Sequence, residues 1–261
     1  MTASAFWSEL AGTGVLLLLG VGLNANIALR ATKGHGKDWL LTSLGWGLAV
    51  FAAVFVAADS GAHLNPAVTL GKLILGQPFH EVFIPFAREG CEVWMSSCVS
   101  PQIIEPTILN ALVYVAAQLL GAFLGATLAW LAYKKHYDLP AEPGVKLGTF
   151  ATGPALRTPL WNTVTEAIGT FALVYWVLVN RATPHELGPL AVALVVVAIG
   201  AGLGGPTGYA INPARDLGPR LAHAVLPIPE KGSSDWGYAW VPVAGPALGA
   251  TAAALLSLAW T

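Results

Sequence analysis

The chain has 261 residues, of which 55% are hydrophobic and 10% are charged, with a formal net charge of -1. An average soluble domain carries about 25% charged residues, so this composition excludes an ordinary soluble enzyme, and with no basic excess nucleic acid is not an expected ligand. The two cysteines, Cys91 and Cys98, are too few for a disulfide framework or a structural zinc site.

Six apolar runs are long enough to cross a bilayer, since a transmembrane helix needs about 20 largely apolar residues. In chain order they are Leu10–Leu29, Trp39–Ala58, Pro106–Tyr133, Thr158–Asn180, a run within Leu187–Ala214, and Trp236–Thr261. Because five similar runs follow it, the first is interpreted as a membrane span and not as a signal peptide. The pattern predicts an all-α membrane protein with six transmembrane helices.

Two shorter segments, Ser60–Gly71 and Gly205–Ala214 with its continuation, follow the second and fifth runs and contain Pro and Gly. Non-helical backbone at membrane depth is tolerated only where it is buried in protein or lines a watery cavity. We therefore expect two re-entrant half-helices beside a polar pathway.

Two unlike motifs recur in the same order in both halves of the chain. The pattern E-x-x-G-T stands at 9–13 and 166–170, and GAHLNPA at 61–67 matches GYAINPA at 208–214. The repeats are taken as about 1–133 and 158–261, joined by a loop at 134–157. Three spans in each repeat, an odd number, place the second half inverted in the membrane.

These features resemble the aquaporin superfamily, and specifically its glycerol-facilitator branch, over nearly the whole chain. The resemblance implies one channel domain with an aquaporin-like inverted repeat and four independent pores in a homotetramer. It also implies a multi-pass protein of the cell membrane with both termini in the cytoplasm. No cofactor or metal is expected.

Each Asn-Pro-Ala motif predicts the start of a short helix, because Asn is a favoured N-cap and Pro is favoured at the first helical position. Two capped helices and nothing more is one interpretation. If the two N-termini meet, each brings about +0.5 of charge that repels cations, and the asparagine amides donate to a passing oxygen. The predicted pore centre comprises Asn65, Pro66, Ala67, Asn212, Pro213 and Ala214.

Arg215 follows the second motif, and an intramembrane arginine is expected to face water and offer its donors to solute. The alternative is that it only pairs with Asp216. In the resembled family this arginine forms the selectivity filter, which Trp46, Gly200 and Tyr209 would complete here.

The filter residues favour a polyol over water alone. Water-selective members of the family place His where this chain has Gly200, which is expected to leave room, while Trp46 and Tyr209 give an apolar wall opposite Arg215. Tyr209 stands where bacterial glycerol channels of the family usually have Phe, and its hydroxyl could favour the passage of water. The stretch from Trp46 to Asn65 is one residue shorter than in the resembled family. If that gap lies within the helix, Gly45 takes the filter position instead of Trp46. Trp46 alone could be an interfacial belt residue. Asp216, Arg220 and Pro242 also match residues that distinguish glycerol conductors in the family.

Glu9 and Glu166 lie inside the first and fourth spans. Such carboxylates could couple transport to protons, or accept hydrogen bonds from the backbone of the re-entrant loops, which the repeat favours. His63 either faces the vestibule or packs within its loop. With Asp216, these residues are predicted to support the loops.

Residues 79–107 form an insertion that contains Glu89, Glu92 and Glu105, and it is expected to be either an amphipathic surface helix or a flexible gate. Cys91 and Cys98 within it are expected to be unpaired thiols. The family orientation conflicts with the positive-inside rule. The family orientation places seven of the loop cations outside the cell and three inside. Those outside are Arg30, Lys33, Lys37, Lys134, Lys135, Lys146 and Arg157, and those inside are Lys72, Arg88 and Arg181.

The sequence thus predicts a passive, non-enzymatic channel in the lipid bilayer for glycerol and other small neutral solutes, with some water permeation and exclusion of protons and ions. A water-selective channel differs only in filter width. A proton-coupled transporter using Glu9 or Glu166, and a membrane enzyme, are the alternatives from other classes.

Overall fold

The structure is a computed structural model that describes residues 2–36, 38–85, 99–180 and 187–259. Several residues named above lie outside these ranges: Lys37, Arg88, Glu89, Cys91, Glu92, Cys98 and Arg181. In chain order, the described elements are α1 (Thr2–Ala28), α2 (Trp39–Val56), a short 3-10 helix (Ala58–Ser60), α3 (Pro66–Leu75), β1 (His80–Pro85), β2 (Val99–Ile104), α4 (Ile108–Ala132), α5 (Lys134–Tyr137), α6 (Pro143–Phe150), α7 (Pro159–Val179), α8 (Pro189–Leu203), α9 (Pro213–Val225) and α10 (Val241–Ser257).

Four of the six predicted spans, namely α1, α2, α4 and α7, are long and apolar enough to cross a membrane by length and composition. The other two, α8 and α10, are shorter, with 15 and 17 residues. Helix α8 ends at Leu203 because two glycines and a proline follow it. Helix α1 begins at Thr2, well before the predicted Leu10. It therefore includes Glu9, whose side chain is fully buried.

The two halves pack in corresponding ways. Helix α1 packs against α4 and α2, and α7 packs against α10 and α8. A Cβ added at Gly125 of α4 would clash with the Gly14 carbonyl of α1, and one at Gly249 of α10 would clash with the Ala167 carbonyl of α7. Small residues let membrane helices approach this closely.

The short helices α3 and α9 each pack against a long helix of the other half, α3 against α10 and α9 against α4. The outer faces of the long helices carry large exposed apolar side chains, such as Leu48, Leu128 and Leu248, each more than half exposed. An apolar exterior around a polar interior is the arrangement expected in a bilayer.

The described parts of the 79–107 insertion form a hairpin. Strand β1 pairs antiparallel with β2, with His80 opposite Ile104. The surface helix that was one of the two options for this insertion is therefore wrong for 80–85 and 99–104. Both segments are rich in β-branched and aromatic residues, which favour strands over helix.

Candidate functional site

Helices α3 and α9 begin at the two Asn-Pro-Ala motifs. The Asn65 side-chain oxygen accepts from the Ala67 N–H at 2.9 Å, and the Asn212 oxygen accepts from the N–H groups of Ala214 at 3.0 Å and Arg215 at 3.2 Å. Pro66 and Pro213 occupy the first turns, where a missing N–H costs nothing. Both motifs therefore act locally as N-caps.

The same two asparagines link the halves of the molecule. The Asn65 amide donates to the carbonyl of Ile211, and the Asn212 amide donates to the carbonyl of Leu64, both at 2.8 Å. The N-termini of α3 and α9 consequently face each other. An amide group carries two hydrogens, so each asparagine keeps one for the cavity that both residues line.

The loops before α3 and α9 carry matching backbone strain. Ala62 and Leu64 have φ angles of 50° and 54°, and Tyr209 and Ile211 have φ angles of 38° and 42°. Left-handed backbone is uncommon for residues with a side chain and persists only when the surroundings hold it.

Glu9 and Glu166 supply such support. Glu9 accepts from the backbone N–H groups of His63 and Leu64, both at 2.8 Å. Glu166 accepts from those of Ala210 at 3.0 Å and Ile211 at 2.8 Å. Each carboxylate thus satisfies two donors of one strained loop.

Glu9 has two further donors, the hydroxyl of Ser60 at 2.6 Å and the amide of Gln118 at 2.7 Å. His63 is nearly fully buried, with its ring nitrogens 2.9 Å from the Thr69 hydroxyl and 3.1 Å from the Phe79 carbonyl. Of the two options for His63, the structure has the histidine packed within its loop.

Arg215 lies against the aromatic wall and not against Asp216. Its guanidinium donates to the Phe150 carbonyl at 3.0 Å, and its guanidinium carbon is 4.0 Å from the centre of the Trp46 ring. Asp216 instead forms a fully buried ion pair with Arg220 at 2.7 Å. The alternative that Arg215 only pairs with Asp216 is therefore wrong.

Asp216 also accepts from the backbone N–H of Thr152 at 2.8 Å and from its hydroxyl at 2.7 Å. Arg220 in turn donates to the carbonyls of Thr152 at 2.9 Å and Ser234 at 2.8 Å. This ion pair therefore connects α9 to the chain segments at Thr152 and Ser234.

Trp46 faces the site, whereas the alternative position, Gly45, does not: a Cβ added at Gly45 would contact the side chain of Leu23. A Cβ added at Gly200 would lie 2.7 Å from the ring of Tyr209. The expectation that Gly200 leaves open room is wrong, because the Tyr209 ring occupies that space. The indole of Trp39 lies beside this ring and donates to the Gly200 carbonyl at 3.0 Å.

Two cavities meet at these side chains. One, of about 320 Å³, extends past Asn65 and Asn212 between apolar side chains, and the other, of about 530 Å³, opens beside Asp38 and Thr42. Residues that line both cavities include Trp46, Tyr209 and Arg215. A solute that moves between the cavities passes the aromatic rings of Trp46 and Tyr209 and the N–H donors of the Arg215 guanidinium. Within the described ranges, no three His, Cys, Asp or Glu side chains form a group that could hold a metal ion.

Three contributors to this arrangement lie outside the predicted site: Asn24, Gln118 and the 149–152 segment. Asn24 and Gln118 are uncharged amides in apolar spans, and both are buried with side-chain hydrogen bonds. Both residues can be recognised from the sequence, because a carboxamide inside a membrane span needs hydrogen-bond partners. The 149–152 segment acts mostly through backbone carbonyls and N–H groups, which every residue has, and otherwise through the Thr152 hydroxyl.

Comparison with known proteins gives concordant matches. A sequence model of the family described as "Major intrinsic protein" matches residues 2–82 and 94–257. The chain is 45% identical to a probable glycerol uptake facilitator protein of Thermotoga maritima over 94% of both chains. It is 42% identical to a glycerol uptake facilitator protein of Streptococcus pneumoniae over 96% of both chains. The X-ray structure of the aquaglyceroporin from Plasmodium falciparum aligns with a TM-score of 0.73 at 29% identity, covering 98% of this chain and 95% of that one.

Proposed function

Because this chain belongs to the major intrinsic protein family, we propose that it is a passive transmembrane channel for glycerol and other small neutral solutes, with some water permeation. Membership in the family and likeness to a solved aquaglyceroporin confirm the predicted resemblance and fold class, six spans with two re-entrant half-helices. The names of the relatives support glycerol as a solute.

The observation that carries the proposal is the meeting of the two cavities at Trp46, Tyr209 and Arg215. A polyol has an apolar carbon edge and a hydroxyl edge. The aromatic faces suit the carbon edge, and the donors of Arg215 compensate the hydroxyls for lost water. We assign the selectivity filter to Trp46, Gly200, Tyr209 and Arg215.

We assign the pore centre to the two Asn-Pro-Ala motifs. The facing N-termini of α3 and α9 carry partial positive charge and the nearby Arg215 carries a full one, so a cation meets an unfavourable field on this path. The free hydrogen of each asparagine amide donates to a solute oxygen. A neutral solute therefore exchanges hydrogen bonds along the path, whereas a cation loses its hydration without compensation.

The proposal extends to assembly and location. We expect a homotetramer with one pore in each subunit, residing in the cell membrane with both termini in the cytoplasm. Transport of this kind needs no cofactor and includes no chemical step. Glu9, Glu166, His63 and Asp216 support the loops that shape the pore.

A water-selective channel is the second candidate. It is favoured by one observation, the Tyr209 ring that fills the space beside Gly200. Stopped-flow light scattering on proteoliposomes separates the two candidates. We expect glycerol permeability well above that of empty liposomes, together with some water permeability. Rapid water flux with glycerol flux at the level of empty liposomes would contradict the proposal and favour the water channel.

A further inference from the structure

Trp46, the wall of the proposed filter, is held by a residue of the first helix. Its indole N–H donates to the side-chain oxygen of Asn24 at 3.2 Å, and both side chains are buried. The Asn24 amide in turn donates to the Thr149 carbonyl at 3.2 Å. One carboxamide therefore connects α1, α2 and the end of α6.

The first helix also holds the other end of the indole. A Cβ added at Gly20 would overlap the six-membered ring of Trp46. Gly20 precedes Asn24 by about one helical turn, or roughly 6 Å along the axis, so the two residues can hold opposite ends of one indole. Gly20 thus forms the notch for the ring, while Asn24 fixes its rotation by holding the N–H.

The same carboxamide acts on the cationic side of the filter. Thr149 is followed directly by Phe150, whose carbonyl accepts from the Arg215 guanidinium at 3.0 Å. The guanidinium lies on the Trp46 ring. Asn24 therefore anchors both the wall and the backbone that holds the cation.

We propose that Asn24 is a positioning residue that sets solute selectivity by fixing the Trp46 ring and occupying its N–H. This inference rests on the proposed channel function. A free indole N–H would make the wall a hydrogen-bond donor and favour water over a carbon edge. With Asn24 in place, the Trp46 N–H is occupied, and Arg215, which lies on the ring, supplies the donors.

The test compares glycerol and water permeability in proteoliposomes of the full-length protein and its variants. Asn24→Leu keeps the branched shape of the side chain but removes both hydrogen bonds. The glycerol-to-water ratio should fall about three- to tenfold, the range expected for losing the one buried hydrogen bond that holds the indole. Asn26→Leu is the matched control, since Asn26 lies on the same helix and does not line either of the two cavities described here. Its ratio should stay at the wild-type value.

A double variant shows whether Asn24 acts through the indole. Trp46→Phe removes the donor, so adding Asn24→Leu to it should change the ratio much less than Asn24→Leu changes it in the wild type. Independent, multiplying effects would contradict the inference, as would a wild-type ratio in Asn24→Leu. If Asn24→Leu fails to assemble, Asn24→Ser replaces it with the same two criteria, because a serine hydroxyl is too short to reach both partners. A wild-type protein that conducts no glycerol would instead refute the channel proposal itself.

Discussion

The guanidinium carbon of Arg215 lies 4.0 Å from the centre of the Trp46 ring, so the cation stacks on the wall of the proposed filter and does not stand opposite it. One of its donors is held by the Phe150 carbonyl. Since a guanidinium has five N–H donors in one plane, the remaining edge stays available to a passing hydroxyl. The cation–π contact also holds the guanidinium at a fixed position on the Trp46 ring.

Gly200 tests how tightly the filter is packed. We expect Gly200→Ala to lower glycerol permeability relative to water about tenfold, because the added Cβ would lie 2.7 Å from the Tyr209 ring and displace it toward the passage. Overpacking typically costs about 1–3 kcal/mol, and about 1.4 kcal/mol in a barrier is tenfold in rate. Gly202→Ala, on the same helix with no atom within 4 Å of the added carbon, is the control in the same stopped-flow assay. Equal ratios in the two variants would contradict this packing.

Asn212 tests the pore centre. In Asn212→Asp, the carboxylate still caps α9 but loses the donor to the Leu64 carbonyl. We expect a loss of about 1–3 kcal/mol in stability and weaker exclusion of cations, because the carboxylate offsets the positive helix end. Thermal unfolding and sodium flux into proteoliposomes measure the two effects. Asn110→Asp also removes a donor to a carbonyl, that of Glu105, but outside both cavities, and should leave cation exclusion intact. Unchanged exclusion in folded Asn212→Asp would argue against a site between the two helix ends.

Glu166 separates loop support from proton coupling. In Glu166→Gln, one carboxylate oxygen becomes an amide group that faces a backbone N–H, so we expect a loss of about 1–3 kcal/mol in stability. Glycerol flux per folded channel should change little. Thermal unfolding in detergent and flux normalised to folded protein are the measurements. Glu142→Gln, at an exposed position whose side chain forms no cap, serves as control and should unfold like the wild type. Full stability with abolished flux would favour a proton carrier.

The buried Asp216–Arg220 pair should carry much of the stability around α9. Removing one partner of a buried pair leaves an uncompensated charge, so Asp216→Ala should lower stability by about 3–5 kcal/mol. The Lys134–Asp138 pair has the same spacing of four residues but is partly exposed. Asp138→Ala should therefore unfold at the wild-type temperature in the same thermal assay. If both variants unfold alike, the buried pair does not support the site.

Much of the arrangement could be predicted from local sequence. Asn65 and Asn212 predict the helix starts because asparagine is a favoured N-cap residue. Glu9 and Glu166 are recognisable because charged residues are rare inside a membrane span. The reciprocal bonds to Leu64 and Ile211 could not be predicted, since carbonyls are present in every residue. Asn24 was missed because its role depends on the neighbouring helix α2, which brings Trp46 to it.

Two errors have a common physical cause. The sequence predicts open space beside Gly200 and a surface helix as one of two options for residues 79–107, but contacts with other segments decide the structure in both places. The Tyr209 ring reaches Gly200 from a loop nine residues away in the chain, with a backbone angle that residue type does not predict. The strands at His80–Pro85 and Val99–Ile104 stabilise each other across a gap in sequence.

Glycerol entry into proteoliposomes with and without an imposed proton gradient tests the central claim most directly. A passive channel should fill the vesicles to the external glycerol concentration at the same initial rate in both conditions. A protonophore should change neither the rate nor the plateau. Accumulation above the external concentration that disappears with the protonophore would contradict the channel account and recast Glu9 and Glu166 as proton carriers.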